Sequence, residues 1–238
     1  GDLPARSGLG SSSSFTVGLI NALNAMKGIQ NSKLDLANTA INIEQNLINE
    51  CVGSQDQISA SYGGMNEIIF NRDESFLVNP AILSQDRKNE LNDHLMLFYS
   101  GISRFSSDIS KSQVSNIKNC TPQMQDLFDM VDEGSSILKN PNISLDEFGK
   151  LLHESWQVKR SLSDKVSNSF INEIYEVARS SGALGGKVLG AGGGGFILLF
   201  VKPKDQEVVK VKLKNLVHVP FKFENTGSKV VLYQPNGL

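Results

Sequence analysis

The chain has 238 residues, 39% of them hydrophobic, enough to bury a real core in one large or two ordinary domains. A net charge of −2 with a pI near 6.0 excludes a dedicated nucleic-acid binder. No run of 18 apolar residues is present, and Cys51 and Cys120 have no zinc-type spacing with histidine, so they read as reduced thiols of an intracellular, cytoplasmic protein.

Pro4-Ala5-Arg6-Ser7-Gly8-Leu9-Gly10-Ser11-Ser12-Ser13-Ser14-Phe15 sets two glycines and a run of serines before an abrupt apolar turn. Phe15, Leu19, Ile20, Leu23 and Met26 recur at three- and four-residue steps, which predicts a helix closed by Lys27-Gly28. The serines then stand at a helix N-terminus, where unpaired N–H groups and the positive dipole end attract anions. Two readings are open. One is a serine-capped helix after a flexible turn; the other is a phosphate site whose glycines admit the anion to the backbone.

Ser32 and Asp35 start a second helix, with Ala37, Ala40, Ile41, Leu47, Ile48 and Cys51 on its apolar face. Glu44 falls within that stripe. It either reaches solvent at the margin or is held inside by a cation, a metal or several donors. Val52-Gly53-Ser54-Gln55-Asp56-Gln57 makes a turn into a short helix, and by its residues alone reads as an Asx-type turn. Tyr62-Gly63-Gly64 leads into a strand over 66–70. Residues 71–90 are polar and contain proline, and a domain boundary is expected there, between 84 and 85.

A strand over 94–99 ends in Ser100-Gly101-Ile102-Ser103-Arg104. Arg104 stands just past a strand end, where it either faces a ligand or makes a surface ion pair. Thr121-Pro122 opens a helix with Thr as cap and Met124, Leu127, Phe128 and Val131 as its core face. Ser144 and Glu147 form a capping box for the next, whose inward residues are Phe148, Leu151, Leu152, Ser155, Trp156 and Leu162. A third carries Val166, Phe170, Ile171, Ile174, Tyr175 and Ala178 and stops at Gly182.

Gly190, Gly192 and Gly195 satisfy G-x-G-x-x-G, but that fingerprint must open a helix, and here it opens the apolar strand 196–201. The glycines therefore join two strands and leave room for something against the backbone. A last helix is expected over 203–216. Alternating Val217, Val219, Phe221 and Phe223, and then 229–234, read as final strands.

Pro4-x-x-x-Gly8-Leu9-Gly10-Ser11-Ser12 resembles the phosphate-binding loop of the GHMP kinases, the superfamily of galactokinase, homoserine kinase, mevalonate kinase and phosphomevalonate kinase. It is not a Walker A loop, since no Lys follows the second glycine. Ser13 and Ser14 stand where the family usually has two alanines. Gly53-Ser54-Gln55-Asp56 resembles the loop that bears the family's catalytic aspartate, and 182–195 its glycine-rich C-terminal motif. These three motifs, in the expected order, extend the resemblance over essentially the whole chain. The match is to the branch that phosphorylates manno-heptose 7-phosphates. It rests on the serine loop, Gln55-Asp56-Gln57, Gly101-Ile102-Ser103-Arg104, His153-Glu154-Ser155-Trp156 with Lys159-Arg160, and the run from Gly182 to Lys187.

The resemblance implies an α+β, two-domain fold. Residues 1–84 would be an incomplete ribosomal protein S5 domain 2-like N-terminal part that binds ATP, and 85–238 a ferredoxin-like C-terminal domain. It implies a magnesium-dependent sugar kinase of carbohydrate metabolism that transfers phosphate from ATP to the anomeric hydroxyl of D-glycero-D-manno-heptose 7-phosphate. By the same resemblance, Gly8, Leu9, Gly10, Ser11, Ser12 and Ser13 would hold ATP, and Ser12 and Glu44 would ligate Mg²⁺. Asp56 would orient or deprotonate the acceptor, and Gly192 and Gly193 would lie at the substrate. The resemblance does not assign Arg104 and Lys187; they are expected to bind substrate because a strand end and a glycine-flanked position face a cleft. The implied partners are a small sugar phosphate and ATP, without nucleic acid or membrane. The superfamily also contains kinases of galactose, fucose, mevalonate and homoserine, and sensors that bind sugar and ATP without catalysis. Retention of both Glu44 and Asp56 favours an enzyme. Family members carry an earlier βαβ region before the loop. With Gly1-Asp2 at its front and no initiator Met, the chain is expected to be a piece of a longer protein.

Overall fold

The computed structural model describes residues 8–102 and 106–234. Its contacts divide the chain into two units. One is Gly10–Ala81 with the chain from Phe223 onward; the other is Ile82–Lys222 with Gly8 and Leu9.

In the first unit, α1 (Ser11–Met26), α2 (Lys33–Asn42) and α3 (Gln55–Tyr62) pack on one another, and β1 (Asn66–Phe70) and β2 (Phe76–Pro80) form an antiparallel hairpin. Ser32 caps α2 as its spacing predicts, its hydroxyl accepting from the Asp35 N–H at 3.0 Å. A π-helical turn, Ile43–Leu47, continues α2. Val17, Leu36 and Ala40 are the buried centre of the three helices. The apolar stripe read along α1 is not the buried face: Phe15, Leu19, Leu23 and Met26 are exposed, while Ser13 and Val17 are buried. The line Ser13, Val17, Ile20, at steps of four and three, is the one turned toward α2 and α3.

The chain from Phe223 returns across the C-terminal end of α3. Gly63 and Gly227 touch there backbone to backbone, both with positive φ, so that a Cβ on Gly63 would fall 1.9 Å from the Gly227 nitrogen. Lys33 Nζ donates to Thr226 O at 2.6 Å and the Ser228 N–H to Ala60 O at 2.8 Å. The strand expected over 229–234 is not formed: the segment pairs with no edge among the described residues, and Val230 to Tyr233 are exposed.

The second unit is built on a four-stranded antiparallel sheet. Its strands are β3 (Leu95–Tyr99), β4 (Ala183–Val188), β5 (Phe196–Val201) and the short β6 (Val217–His218), in spatial order β4-β5-β3-β6. Helices fill the β3–β4 connection, and α9 (Gln206–Lys212) joins β5 to β6. This β-α-β-β-α-β order, with the first strand between the third and fourth, is the expected ferredoxin-like arrangement. Its core places Met96, Phe98, Ile197 and Leu199 of the sheet against Trp156, Ile171, Tyr175 and Val209.

The other helices are α4 (Gln85–His94), α5 (Ser106–Asn116), α6 (Thr121–Lys139), α7 (Leu145–Ser161) and α8 (Ser169–Ser180). β2 and α4 lie within or across the stretch read as a polar boundary region, and α5 was not foreseen. The cap of α6 is Cys120 rather than Thr121. Its expected core face is also displaced: Met124, Phe128 and Val131 are exposed, whereas Gly134 and Ile137 are buried. Gly134 lies where α6 meets Leu151 and Phe148 of α7, so only the C-terminal half of α6 packs closely. Arg87 of α4, itself buried, donates to the carbonyls of Ile137 and Ile143 and so satisfies backbone acceptors at the end of α6 and in the loop after it.

Candidate active site

Within the first unit, α1 starts without a side-chain cap. Gly10 occupies the cap position in the left-handed region at φ 65°, and its carbonyl accepts from the Ser14 N–H at 2.9 Å. Gly10 has no side chain to cap the first N–H groups of α1, and a helix start of this kind suits an anion. A Cβ on Gly10 would sit 3.0 Å from both Cγ and Oδ2 of Asp56. Glycine thus answers two demands here, the positive φ and the approach of a carboxylate.

Asp56 lies in the first turn of α3. The turn before it is pinned by Gln45, whose Nε2 donates to Val52 O at 3.0 Å and Ser54 Oγ at 3.1 Å. Asp56 keeps an exposed surface, yet the protein crowded around its carboxyl raises its pKa, and the charge of Glu44 raises it further.

Glu44 sits in the π-helical turn and is only 2% exposed. The wider turn advances the helix face by part of a residue. Leu47 and Ile48, expected inside, are consequently exposed, while Glu44, which falls within the stripe, is inside. Its Oε2 accepts from Ser13 Oγ at 2.8 Å and Gln57 Nε2 at 2.5 Å, while its buried Oε1 has no hydrogen-bond partner among the described residues.

In the second unit, the glycine loop between β4 and β5 is tied down along its backbone. Gly190 O accepts from Lys159 Nζ at 2.6 Å, Ala191 O from Gln113 Nε2 at 2.8 Å, and Gly193 O from Asn168 Nδ2 at 3.1 Å. Gly190 also lies directly on Gly8, with 3.0 Å between the position of an added Cβ and the Gly8 Cα. Lys187, on β4, finds no acceptor or carboxylate among the described residues, and burial lowers its pKa.

A family model described as GHMP kinases N terminal domain matches residues 1–64, and one described as GHMP kinases C terminal matches 137–218. A D-glycero-alpha-D-manno-heptose 7-phosphate kinase of Campylobacter jejuni is 31% identical over 233 residues, covering 96% of this chain and 68% of that protein. The chain belongs to the GHMP kinases. A bifunctional fucokinase/GDP-fucose pyrophosphorylase of Arabidopsis thaliana is 26% identical, over 86% of this chain and 20% of its own length. A crystal structure of a D-glycero-D-manno-heptose 1-phosphate kinase from Bacteroides thetaiotaomicron superposes with a TM-score of 0.76 at 25% identity, covering 97% of this chain and 66% of that one. The chain thus spans about two thirds of the two heptose phosphate kinases and a fifth of the bifunctional protein.

In this GHMP kinase the residues singled out from the sequence fall into separate groups. Gly10, Ser11, Ser12 and Ser13 of the loop share the first unit with Glu44 and Asp56. Ser13 is buried against Glu44, whereas Ser11 and Ser12 are exposed at the start of α1. Gly8 and Leu9 group with the second unit, as do Lys187, Gly192 and Gly193. Gly192 is pressed against Val166, and the Gly193 N–H is donated to Val166 O at 2.6 Å. Arg104 lies outside the described residues. The sequence reading passed over Gln45 and Gln57. The signal for Gln57 was available: Gln57, Ile58 and Ser61 share the buried face of α3, where a polar side chain needs a partner.

The donor set fits a magnesium ion. Glu44 offers a buried carboxylate oxygen with no donor of its own, and Asp56 and the serine hydroxyls lie in the same unit. Among the described residues no group of three or more His, Cys, Asp or Glu could hold a metal. Mg²⁺ typically takes one or two carboxylates and fills its remaining positions with water and substrate phosphates. No helix among the described residues is long and apolar enough to cross a membrane.

Proposed function

We propose that this GHMP kinase transfers the γ-phosphoryl group of ATP to the anomeric hydroxyl of D-glycero-D-manno-heptose 7-phosphate, giving the 1,7-bisphosphate. The observation that carries the reading is the grouping of Asp56, Gly10 and a half-bonded Glu44 at the uncapped start of α1. Phosphoryl transfer needs positioning and charge neutralisation more than covalent help from the protein. The N–H groups of the serine loop would hold ATP phosphates at the helix N-terminus. Ser12 and Glu44 would hold Mg²⁺, which when bound neutralises charge on those phosphates. Asp56, a stronger base for its raised pKa, would accept the proton of the acceptor hydroxyl. That oxygen bonds to the γ-phosphorus as the bond to the β–γ bridging oxygen breaks, releasing ADP.

A phosphorylated acceptor is supported by Lys187, a cation without a protein partner among the described residues and in part desolvated. Such a group favours an anionic ligand. The heptose phosphate kinases similar to this chain point the same way, while the fucokinase stands for the rival, a neutral sugar. ADP release by the full-length protein, measured against manno-heptose 7-phosphate, manno-heptose, fucose, galactose, mevalonate and homoserine, tests the choice. Manno-heptose 7-phosphate should be preferred, and Lys187→Ala should raise KM for it by about 10- to 100-fold, the scale of a lost charge-assisted bond. Equal use of manno-heptose and its 7-phosphate would contradict a phosphate-reading site.

A further inference from the structure

Glu44 is held through one oxygen only. Oε2 accepts from Ser13 Oγ and Gln57 Nε2, at 2.8 and 2.5 Å, and Oε1 is buried without a partner among the described residues. Gln57 is 0% exposed, and its own Oε1 likewise lacks a partner among them. A buried amide that is half unsatisfied costs stability relative to an apolar side chain of similar size. Its place beside Ile58 on the buried face of α3 is therefore poorly explained by packing. What Gln57 visibly does is grip one oxygen of a carboxylate that would otherwise be a poorly solvated buried charge. Ser13 grips the same oxygen from the opposite helix, α1.

Resting on the kinase reading above, we propose that Gln57 and Ser13 are positioning residues that fix Oε2 of Glu44 and leave Oε1 as the oxygen available to the nucleotide's divalent cation. The Ser13 hydroxyl on this view serves the carboxylate, while the exposed Ser12 remains with the phosphates and the cation. Two donors on one oxygen define both where the carboxylate lies and how it is rotated. Outer partners of this kind are typically worth about 10- to 100-fold in metal affinity.

Mn²⁺ binding to the full-length protein with a non-hydrolysable ATP analogue, followed by electron paramagnetic resonance, reads the site without turnover. Gln57→Leu and Ser13→Ala should each weaken Mn²⁺ by about tenfold or more. Ser13→Thr, which keeps the hydroxyl, should restore the unmutated affinity. In a Glu44→Gln background Gln57→Leu should cost nothing further, because its effect passes through the carboxylate. Unchanged Mn²⁺ affinity in a cooperatively melting Gln57→Leu protein overturns the proposal, as does an equal loss in both backgrounds. Should Gln57→Leu not fold, Ser13→Ala against Ser13→Thr makes the same decision. If Glu44→Gln itself leaves Mn²⁺ binding untouched, the metal role of Glu44 in the kinase reading fails. If Glu44→Gln weakens binding and neither Gln57→Leu nor Ser13→Ala does, only the positioning roles fail.

Discussion

Asp56 and Gly10 constrain each other. Any side chain at residue 10 would meet the Asp56 carboxyl at about 3.0 Å and would also have to adopt a left-handed backbone. The loop and the carboxylate therefore act as one feature. If Asp56 is the group that acts on the acceptor hydroxyl, Asp56→Asn should lower kcat by about 100-fold or more, the usual scale for a lost acid–base group. The Kd of an ATP analogue should change little, since the phosphate-binding N–H groups are untouched. Turnover measured beside equilibrium nucleotide binding checks this, and an unchanged kcat removes Asp56 from the chemistry. The candidates at this scale came from the likeness of short motifs to a family: by their residues alone the serine loop left two readings open and residues 53–56 read as an Asx-type turn. Gln57 was not read, although it belongs to the same motif. Its importance comes from burial against a residue 13 positions earlier, and local spacing does not report that.

At the scale of elements, the capped helices were readable and the packing faces less so. Ser32 bonds the Asp35 N–H that its spacing predicts, whereas Ser144 bonds the Asp146 N–H rather than that of Glu147. The apolar stripe of α6 was misassigned because a helix buries whichever line its neighbours touch, and Gly134 lies on that line; the stripe of α1 is exposed, as expected where the strands of an earlier segment would cover it. Residues 71–90 hid β2 and the start of α4 behind polar composition, since a hairpin strand with one exposed face carries little apolar signal. The returning segment at Gly227 was invisible to local patterning, as its partner is Gly63. Gly227→Ala should destabilise the protein by at least about 1 kcal/mol, from the left-handed backbone alone, with more from the contact with Ser61 O at 2.5 Å. Thermal unfolding checks this, and an unchanged Tm would mean that the return is not fixed as described.

The second unit carries an acid-sensitive pair on α7 and α8. His153 Nδ1 lies 2.7 Å from the Tyr175 hydroxyl, with the two rings stacked at 5.9 Å. Burial first and the charge of Arg179 second lower the His153 pKa; Arg160 adds to the fall, and Glu176 and Glu154 oppose it. Burial pushes Tyr175 up to about 12, so it stays neutral through this range. A histidine held below its ordinary value is neutral in the folded state, while the unfolded chain takes up the proton first as pH falls. Its contribution is therefore complete above about pH 6.5 and is lost as pH falls through the folded value. His153→Gln should flatten the decline of Tm between about pH 7.5 and 5.5. His218, lowered by burial and by Lys210, leaves a smaller slope of the same sign. An identical pH slope in the variant would remove His153 as a source.

At the scale of the molecule, the ferredoxin-like sheet and the helical unit with the serine loop were both legible, because strand order and motif order are properties of the chain. The choice of acceptor was not, since it depends on side chains drawn from distant positions. The proposed reaction makes a sugar 1-phosphate from a sugar already phosphorylated elsewhere. Phosphorus NMR of the product formed by the full-length protein with ATP, Mg²⁺ and manno-heptose 7-phosphate tests it most directly. A second sugar phosphate resonance coupled to the anomeric proton should appear in step with ADP and be absent for Asp56→Asn. ATP left intact, or a phosphate attached at any carbon other than the anomeric one, would contradict it.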